Sequence, residues 1–403
     1  MSRPFLVAVT LATCLLATAM TFAKGANQTA SPIDVLYLVT QDITQTYTIQ
    51  TYNVDPGYGS ATLYGTLSVY APPNCSYVFV PGADDHYIYG FCSSLTEGTV
   101  LQVYATDSNG APQDPPIQTV RFKAAISPFL IDPNGTLAYA TQPLEIASGV
   151  PEFEILAFAL DPKTGIVTVP PTLSAIASPP LYSICGPDNP FGPPGFSLVE
   201  FNLSGTQIID AWDCVGHDDS VDYHYTQTVN QKTGALGLPV ATVGSGSSEN
   251  EYDTVTFTPT AILGFQNEGF ENSANELYVY GLNASLNFSC TYTTLDACSY
   301  SSGIAADRTG KFIFFYTYTG GTEVTRLDVN KKTIEPVGTP LANTIDAFSF
   351  DDRLIYGSRT VSWNGQYIIP TYVFDPNTGL VTDNQSAITM PSEYSSLIPA
   401  LRY

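Results

Sequence analysis

The chain is poor in basic residues: Lys and Arg number 14 against 37 Asp and Glu, with 3 His, in 403 residues. Neutralising a nucleic-acid backbone takes clustered cations, so the formal charge of -23 argues against a nucleic-acid partner. It argues equally against a phosphosugar, because Arg121, Arg308, Arg326, Arg353, Arg359 and Arg402 are scattered along the chain. Charged residues amount to only 13%, too few for the polar faces of long amphipathic helices. The sequence also lacks a G-x-S-x-G elbow, an H-E-x-x-H zinc helix and a phosphate-binding P-loop. A strongly acidic surface of this kind keeps molecules apart, and a monomer is expected.

Aromatic and turn-forming residues are plentiful: Tyr 26, Phe 21, Gly 31 and Pro 30. Such a composition fits many short strands joined by tight turns.

Met1-Ser2-Arg3 precedes an apolar run ending in the small-residue triplets Ala17-x-Ala19 and Thr21-x-Ala23. This reads as a secretory signal peptide over 1–23, followed by a polar linker over 24–33 and a single domain over 34–403. Export to the periplasm, cell surface or medium follows. An uncleaved anchor is the alternative, and the only route to membrane contact. With Cys14 lost alongside the signal, Cys75, Cys92, Cys185, Cys214, Cys290 and Cys298 remain, an even set suited to disulfides.

Self-similarity organises the rest. A strand ends in Asp or Asn, a tight turn follows, and a second strand begins. Asp161-Pro162-Lys163-Thr164-Gly165, Asn230-Gln231-Lys232-Thr233-Gly234 and Asp375-Pro376-Asn377-Thr378-Gly379 are full copies; looser ones begin at Asp55, Asp107 and Asn330. The Asx side chain caps the turn, Pro presets φ, and Gly supplies the left-handed conformation that closes a hairpin. The spacing is about 50 residues, and the interval from Asn230 to Asn330 holds two steps. The missing copy is expected near Asn283 to Tyr292, where the turn signal has eroded.

Ahead of each hairpin lies another strand pair, clearest in SPFLIDPNGTLAYA from Ser127 and GIAADRTGKFIFFYT from Gly303. Between Thr254 and Gly281 this pair reads as split by the insertion GFQNEGFENSAN. Two hairpins per unit make four strands, the size of a propeller blade. The expected fold is therefore all-β: a seven-bladed propeller of four-stranded antiparallel blades. Val35 to Thr40 lacks a preceding first strand and the residues from Ser395 lack a following second, so pairing of the two chain ends is expected to close the ring.

On these DPNG/DRTG turns, the strand words LAYAT and FIFFY, and the D-P-x-T-G hairpins, the chain resembles the seven-bladed propellers with YVTN-type repeats and a lactonase-like fold. That family includes a propeller-type 6-phosphogluconolactonase, and the resemblance spans residues 34 to 403. In this strand order the connections between second and third strands and between blades share one face, where ligands bind. The two kinds of hairpin turn share the other.

Cys75 precedes the first strand of its blade and Cys92 ends the second, which predicts a disulfide. Cys185 and Cys214 repeat the arrangement in the fourth blade, leaving Cys290 and Cys298 as a local bridge. The run from Cys214 to His224 is the densest polar constellation on the ligand face. His217, Asp218 and Asp222 are the candidates for catalysis, Asp219, Tyr223 and His224 for ligand binding, and Asp218, Asp219 and Asp222 for a divalent cation such as calcium. A solvated acidic loop anchored by a disulfide is the plainer reading of the same residues, and no other cofactor is expected.

Two functions stand open. One is a non-catalytic exported module binding a protein, a cell-surface polymer or a small ligand. The other, implied by the resemblance, is hydrolysis of sugar or other small lactones.

Overall fold

In the computed structural model the described residues form seven antiparallel sheets, six of four strands and one of five, arranged as a β-propeller. The structure describes residues 33–402 apart from 43, 73–74, 84–85, 95–97, 145–151, 179–194, 216–219, 242–253, 267–275, 292–300, 318–319, 350–351, 363–364 and 391–395. The expected signal peptide lies outside the described residues.

The ring closes as the unpaired terminal strands require. Ser396–Arg402 is the inner strand of blade 1 and pairs antiparallel with Ile33–Gln41, from Ile33 opposite Arg402 to Val39 opposite Ser396. Thr46–Val54 and Ala61–Tyr70 complete that blade. Blades 2, 3 and 4 span 76–122, 130–177 and 195–241, and blades 5, 6 and 7 span 254–291, 301–336 and 345–390. Blade 7 carries an added short strand, Thr360–Val361, on Tyr367–Phe374.

Each blade turns one sheet face to the blade before it and one to the blade after, so alternating apolar residues bury on both sides. A buried cluster fills every one of the seven seams. That between blades 2 and 3 gathers Phe91, Leu101, Phe129, Leu156 and Phe158, and that between blades 5 and 6 gathers Leu263, Phe265, Leu277, Ile313 and Phe315.

Tyrosines on the second strands lock three successive seams. Tyr37, Tyr89 and Tyr139 donate to the carbonyls of Gly110, Gly165 and Gly234, each in the third-to-outer turn of the next blade, at 2.7, 3.2 and 2.9 Å. Around the rest of the ring Thr371 donates to the Gly59 carbonyl and Arg326 to that of Thr378.

The inner-to-second turns are pinned by buried polar side chains. Asp132 accepts from the backbone N–H groups of Thr136 and Leu137, Asn202 from those of Thr206 and Gln207, and Asp307 from that of Phe312.

Blade 5 departs from expectation in two ways. Its first strand pair is not split: Thr254–Phe257 and Ile262–Gln266 are joined directly, and the insertion falls between the second and third strands. The joining turn carries no Asx-Gly signal because Thr258 does the capping, its hydroxyl accepting from the Ala261 N–H at 2.9 Å. The eroded hairpin persists in shortened form. Gly281 N–H bonds the Ser285 carbonyl, and Ala284 takes the left-handed position at φ 61°.

Candidate functional site

The two faces of the ring are built differently. On one, strands are joined by tight turns whose backbone groups bond each other, as in Asp161 to Ile166 and Asn230 to Ala235. On the other, the long connections 178–194, 242–253, 267–275 and 292–300 link strand ends. The strands Gln207–Val215 and Ser220–Thr228, which flank the sequence-predicted candidates, meet this loop face at the end of the first and the start of the second.

Cys75 and Cys92 form a disulfide there, Cα atoms 5.4 Å apart, tying the start of Ser76–Pro81 to the end of Tyr87–Ser94 in blade 2. Cys185 and Cys298 lie outside the described residues, as do the side chains of Cys214 and Cys290.

In blade 4 the strands Gln207–Val215 and Ser220–Thr228 pair across the candidate run, with Trp212 opposite Tyr223 and Ala211 opposite His224. His217, Asp218 and Asp219 lie outside the described residues, as does the Asp222 side chain. Tyr223 and His224, read from sequence as part of an open loop, stand inside a strand and are buried at 5% exposure each. Alternation divides them. Tyr223 packs with Trp212 in the seam with blade 3, while His224 shares the opposite face with Thr226. The strand thus separates Tyr223 and His224 by face and withholds both from the solvent of the loop face.

Two carboxyl groups that sequence reasoning passed over lie deeper in the same blade. Glu200 stands in the inner strand Gly195–Phe201 beside a β-bulge, where the register shifts between Leu198 and Glu200. It accepts hydrogen bonds from the Phe257 N–H and, at 3.2 Å, from the Thr256 hydroxyl, both in blade 5. Burial pushes its pKa up to about 8 against the opposing pull of these two donors. Asp210, on the face with Ile208 and Trp212, accepts from the Gln227 amide. Burial pushes it up to about 7, with Gln227 again opposing. A carboxyl group titrating near neutrality suits acid–base chemistry where substrate can reach it. Glu200 and Asp210 are 8% and 2% exposed and are spent on holding strands together, so their role is structural.

A third polar group sits at the loop-face end of blade 7. The Asp346 carboxylate accepts from the Ser358 hydroxyl at 2.7 Å, and Ser358 in turn meets Thr344 at 2.5 Å. Tyr316, from blade 6, is raised above the ordinary phenol range by burial and then by the charge of Asp346. Among the described residues no group of three or more His, Cys, Asp or Glu is placed to hold a metal ion.

Comparison with solved structures places this geometry. A proposed 6-phosphogluconolactonase from Bacteroides uniformis superposes with a TM-score of 0.55 at 16% identity, covering 92% of this chain and 100% of that one. The chain has the lactonase-like propeller fold. A hypothetical selenium-binding protein from Sulfolobus tokodaii superposes with a TM-score of 0.54 at 11% identity, covering 93% of this chain and 94% of its own. At these identities the likeness concerns fold alone. No protein-family model and no curated protein matches the chain.

Arg308 and Arg353 fall in inner-to-second turns, on the face away from the loops. Arg326 lies 5.7 Å from the Phe312 ring centroid and Arg359 lies 5.3 Å from that of Tyr367.

Proposed function

We propose that the chain is an exported binding module whose loop face engages a protein, a cell-surface polymer or a small ligand. The observation that carries this reading is the asymmetry of the ring. Tight, internally hydrogen-bonded turns close one face, and the strand ends that bound the long connections lie on the other. Loops held by a rigid scaffold are where propellers and other β folds put recognition. The Cys75–Cys92 disulfide supports an oxidising compartment, in keeping with the apolar N-terminal run. The buried carboxyl groups of blade 4 support a scaffold role, being committed to strand contacts rather than presented to a substrate.

The test is a pair of measurements on the full chain. Glycan and peptide arrays should yield ligands whose binding is lost when 267–275 is replaced by a short Gly-Ser turn with the fold retained. A panel of sugar and aliphatic lactones, with and without chelator, should show no turnover above the uncatalysed rate. Turnover abolished by His217→Ala would replace the binding reading with a lactone hydrolase centred on His217, Asp218 and Asp222.

A further inference from the structure

A cleft of about 460 Å³ opens at the rim of the ring, away from the loop face, where the outer strand of blade 1 passes the third-to-outer turn of blade 2. It is an open, solvent-facing cleft rather than an enclosed cavity, with room for one small molecule. Its shape is built by three local devices.

The first is a β-bulge. Thr51 pairs with Gly65 and Tyr52 with Leu63, so Tyr64 is an extra residue without a partner across the sheet. Bulges re-aim side chains. Here Tyr64 stays 47% exposed, and its hydroxyl accepts a hydrogen bond from the Asn109 side-chain amide at 2.5 Å.

The second device is Gly65, where a Cβ would stand 2.7 Å from that of Ala111. The missing side chain lets strand and turn close to the width observed.

The third is the Asp107 carboxylate, which organises the opposite wall. One oxygen accepts from the backbone N–H groups of Asn109 and Ala111 at 2.8 and 3.1 Å, and the other from the Gln113 amide at 3.3 Å. Gln113 also donates to the Ala111 carbonyl at 2.8 Å, which fixes its amide group and leaves its carbonyl oxygen as an acceptor.

The chemistry left open is specific. Tyr64 offers an aromatic face and an O–H donor; Gln113 offers an acceptor; the exposed Asp114 offers a carboxylate. No Lys, Arg or His lines the cleft, and two carboxylates do, so an anion is repelled. A cation would find only Asp114 uncommitted, and one solvent-exposed carboxylate holds a cation weakly. A neutral ring bearing several hydroxyl groups satisfies all three: apolar C–H face on the tyrosine, hydroxyl donors to Gln113 and Asp114, and a hydroxyl oxygen for the Tyr64 proton. We propose that this rim cleft binds a neutral sugar unit, stacked on Tyr64 and held through its hydroxyls by Gln113 and Asp114.

Titration of the full chain with glucose, N-acetylglucosamine and cellobiose, followed by calorimetry and by NMR, tests this. At least one neutral sugar should bind, with affinity unchanged by added salt. Tyr64→Ala should weaken binding about fivefold to tenfold, and Tyr64→Phe, which keeps the ring, by less. Glucose 6-phosphate should bind more weakly than glucose. Three results would overturn the proposal: no neutral sugar binding at all, preferential binding of glucosamine that disappears at high salt, or sugar binding indifferent to Tyr64→Ala. Because Tyr64 and Asp114 are exposed, these variants leave the seams intact, and Asp114→Asn separates hydrogen bonding from charge. Loss of this site would leave the loop-face reading standing, and the reverse holds as well.

Discussion

Tyr139 and Gly234 lie 95 positions apart in sequence and are joined by a single buried hydrogen bond, the phenol of blade 3 donating to a turn carbonyl of blade 4 at 2.9 Å. The same carbonyl also receives the Ser174 hydroxyl.

This double acceptance sets the cost of breaking it. Tyr139→Phe alone leaves the carbonyl satisfied by Ser174 and should cost about 1 kcal/mol. The double variant Tyr139→Phe/Ser174→Ala strands a buried acceptor and should cost more than the two single changes summed. Urea unfolding of the four proteins in the cycle measures the difference. A strictly additive result would mean that the two donors act independently.

Gly234 is bound by shape as well as by hydrogen bonding. Its φ is 73°, and a Cβ there would come within 2.7 Å of that of Ala157. Gly234→Ala should therefore destabilise by about 3 kcal/mol, through backbone strain and overpacking together. Gly365 has φ 80° with nothing within 4 Å of an added Cβ. Gly365→Ala should cost only the strain, about 1 kcal/mol. Thermal unfolding of both variants checks the ordering.

Stability should fall as pH rises through neutrality. Glu200 and Asp210 have folded-state values of about 8 and about 7 against ordinary values of 4.5 and 3.8. The folded chain thus retains protons that the unfolded chain has released. Their contribution is complete below the unfolded values and is lost as pH climbs through the folded ones. The slope is about 1.4 kcal/mol per pH unit for each group within that window. Glu200→Gln with Asp210→Asn should flatten the profile between pH 5 and pH 8, read as unfolding midpoint against pH. An unchanged slope in the double variant would assign the pH dependence to other groups.

Removing the disulfide should weaken the fold without reorganising it. Cys75 and Cys92 are separated by 17 positions, a loop whose closure is worth about 3 kcal/mol. Cys75→Ser/Cys92→Ser should lower the unfolding midpoint accordingly. The far-ultraviolet circular dichroism should remain that of the parent.

The architecture was legible wherever turns are written in residues with special backbone properties. Asp161 to Gly165 and Asp375 to Gly379 announce their hairpins because Asx capping and left-handed glycine have few substitutes. Blade 5 was harder to read because Thr258 and Ala284 do the same work with ordinary side chains. Polar residues misled where strands bury them. Tyr223 and His224 resemble a loop by composition, yet cross-strand pairing with Trp212 and Ala211 encloses them. Glu200 and Asp210 gave no signal: the donors to Glu200 belong to the neighbouring blade, and Gln227 meets Asp210 only through the pairing of two strands. The rim cleft was equally hidden, because a bulge at Tyr64 is a property of register, which a single strand does not reveal.

The pairing of Ser396–Arg402 with Ile33–Gln41 also orders events in time. The first blade lacks its innermost strand until the last residues of the chain arrive. During synthesis six blades can assemble while the first waits with an open inner edge. Completion of the ring is therefore a late step. A chain interrupted anywhere before Ser396 leaves the inner edge of Ile33–Gln41 unpaired, an unclosed circle rather than a slightly shorter protein.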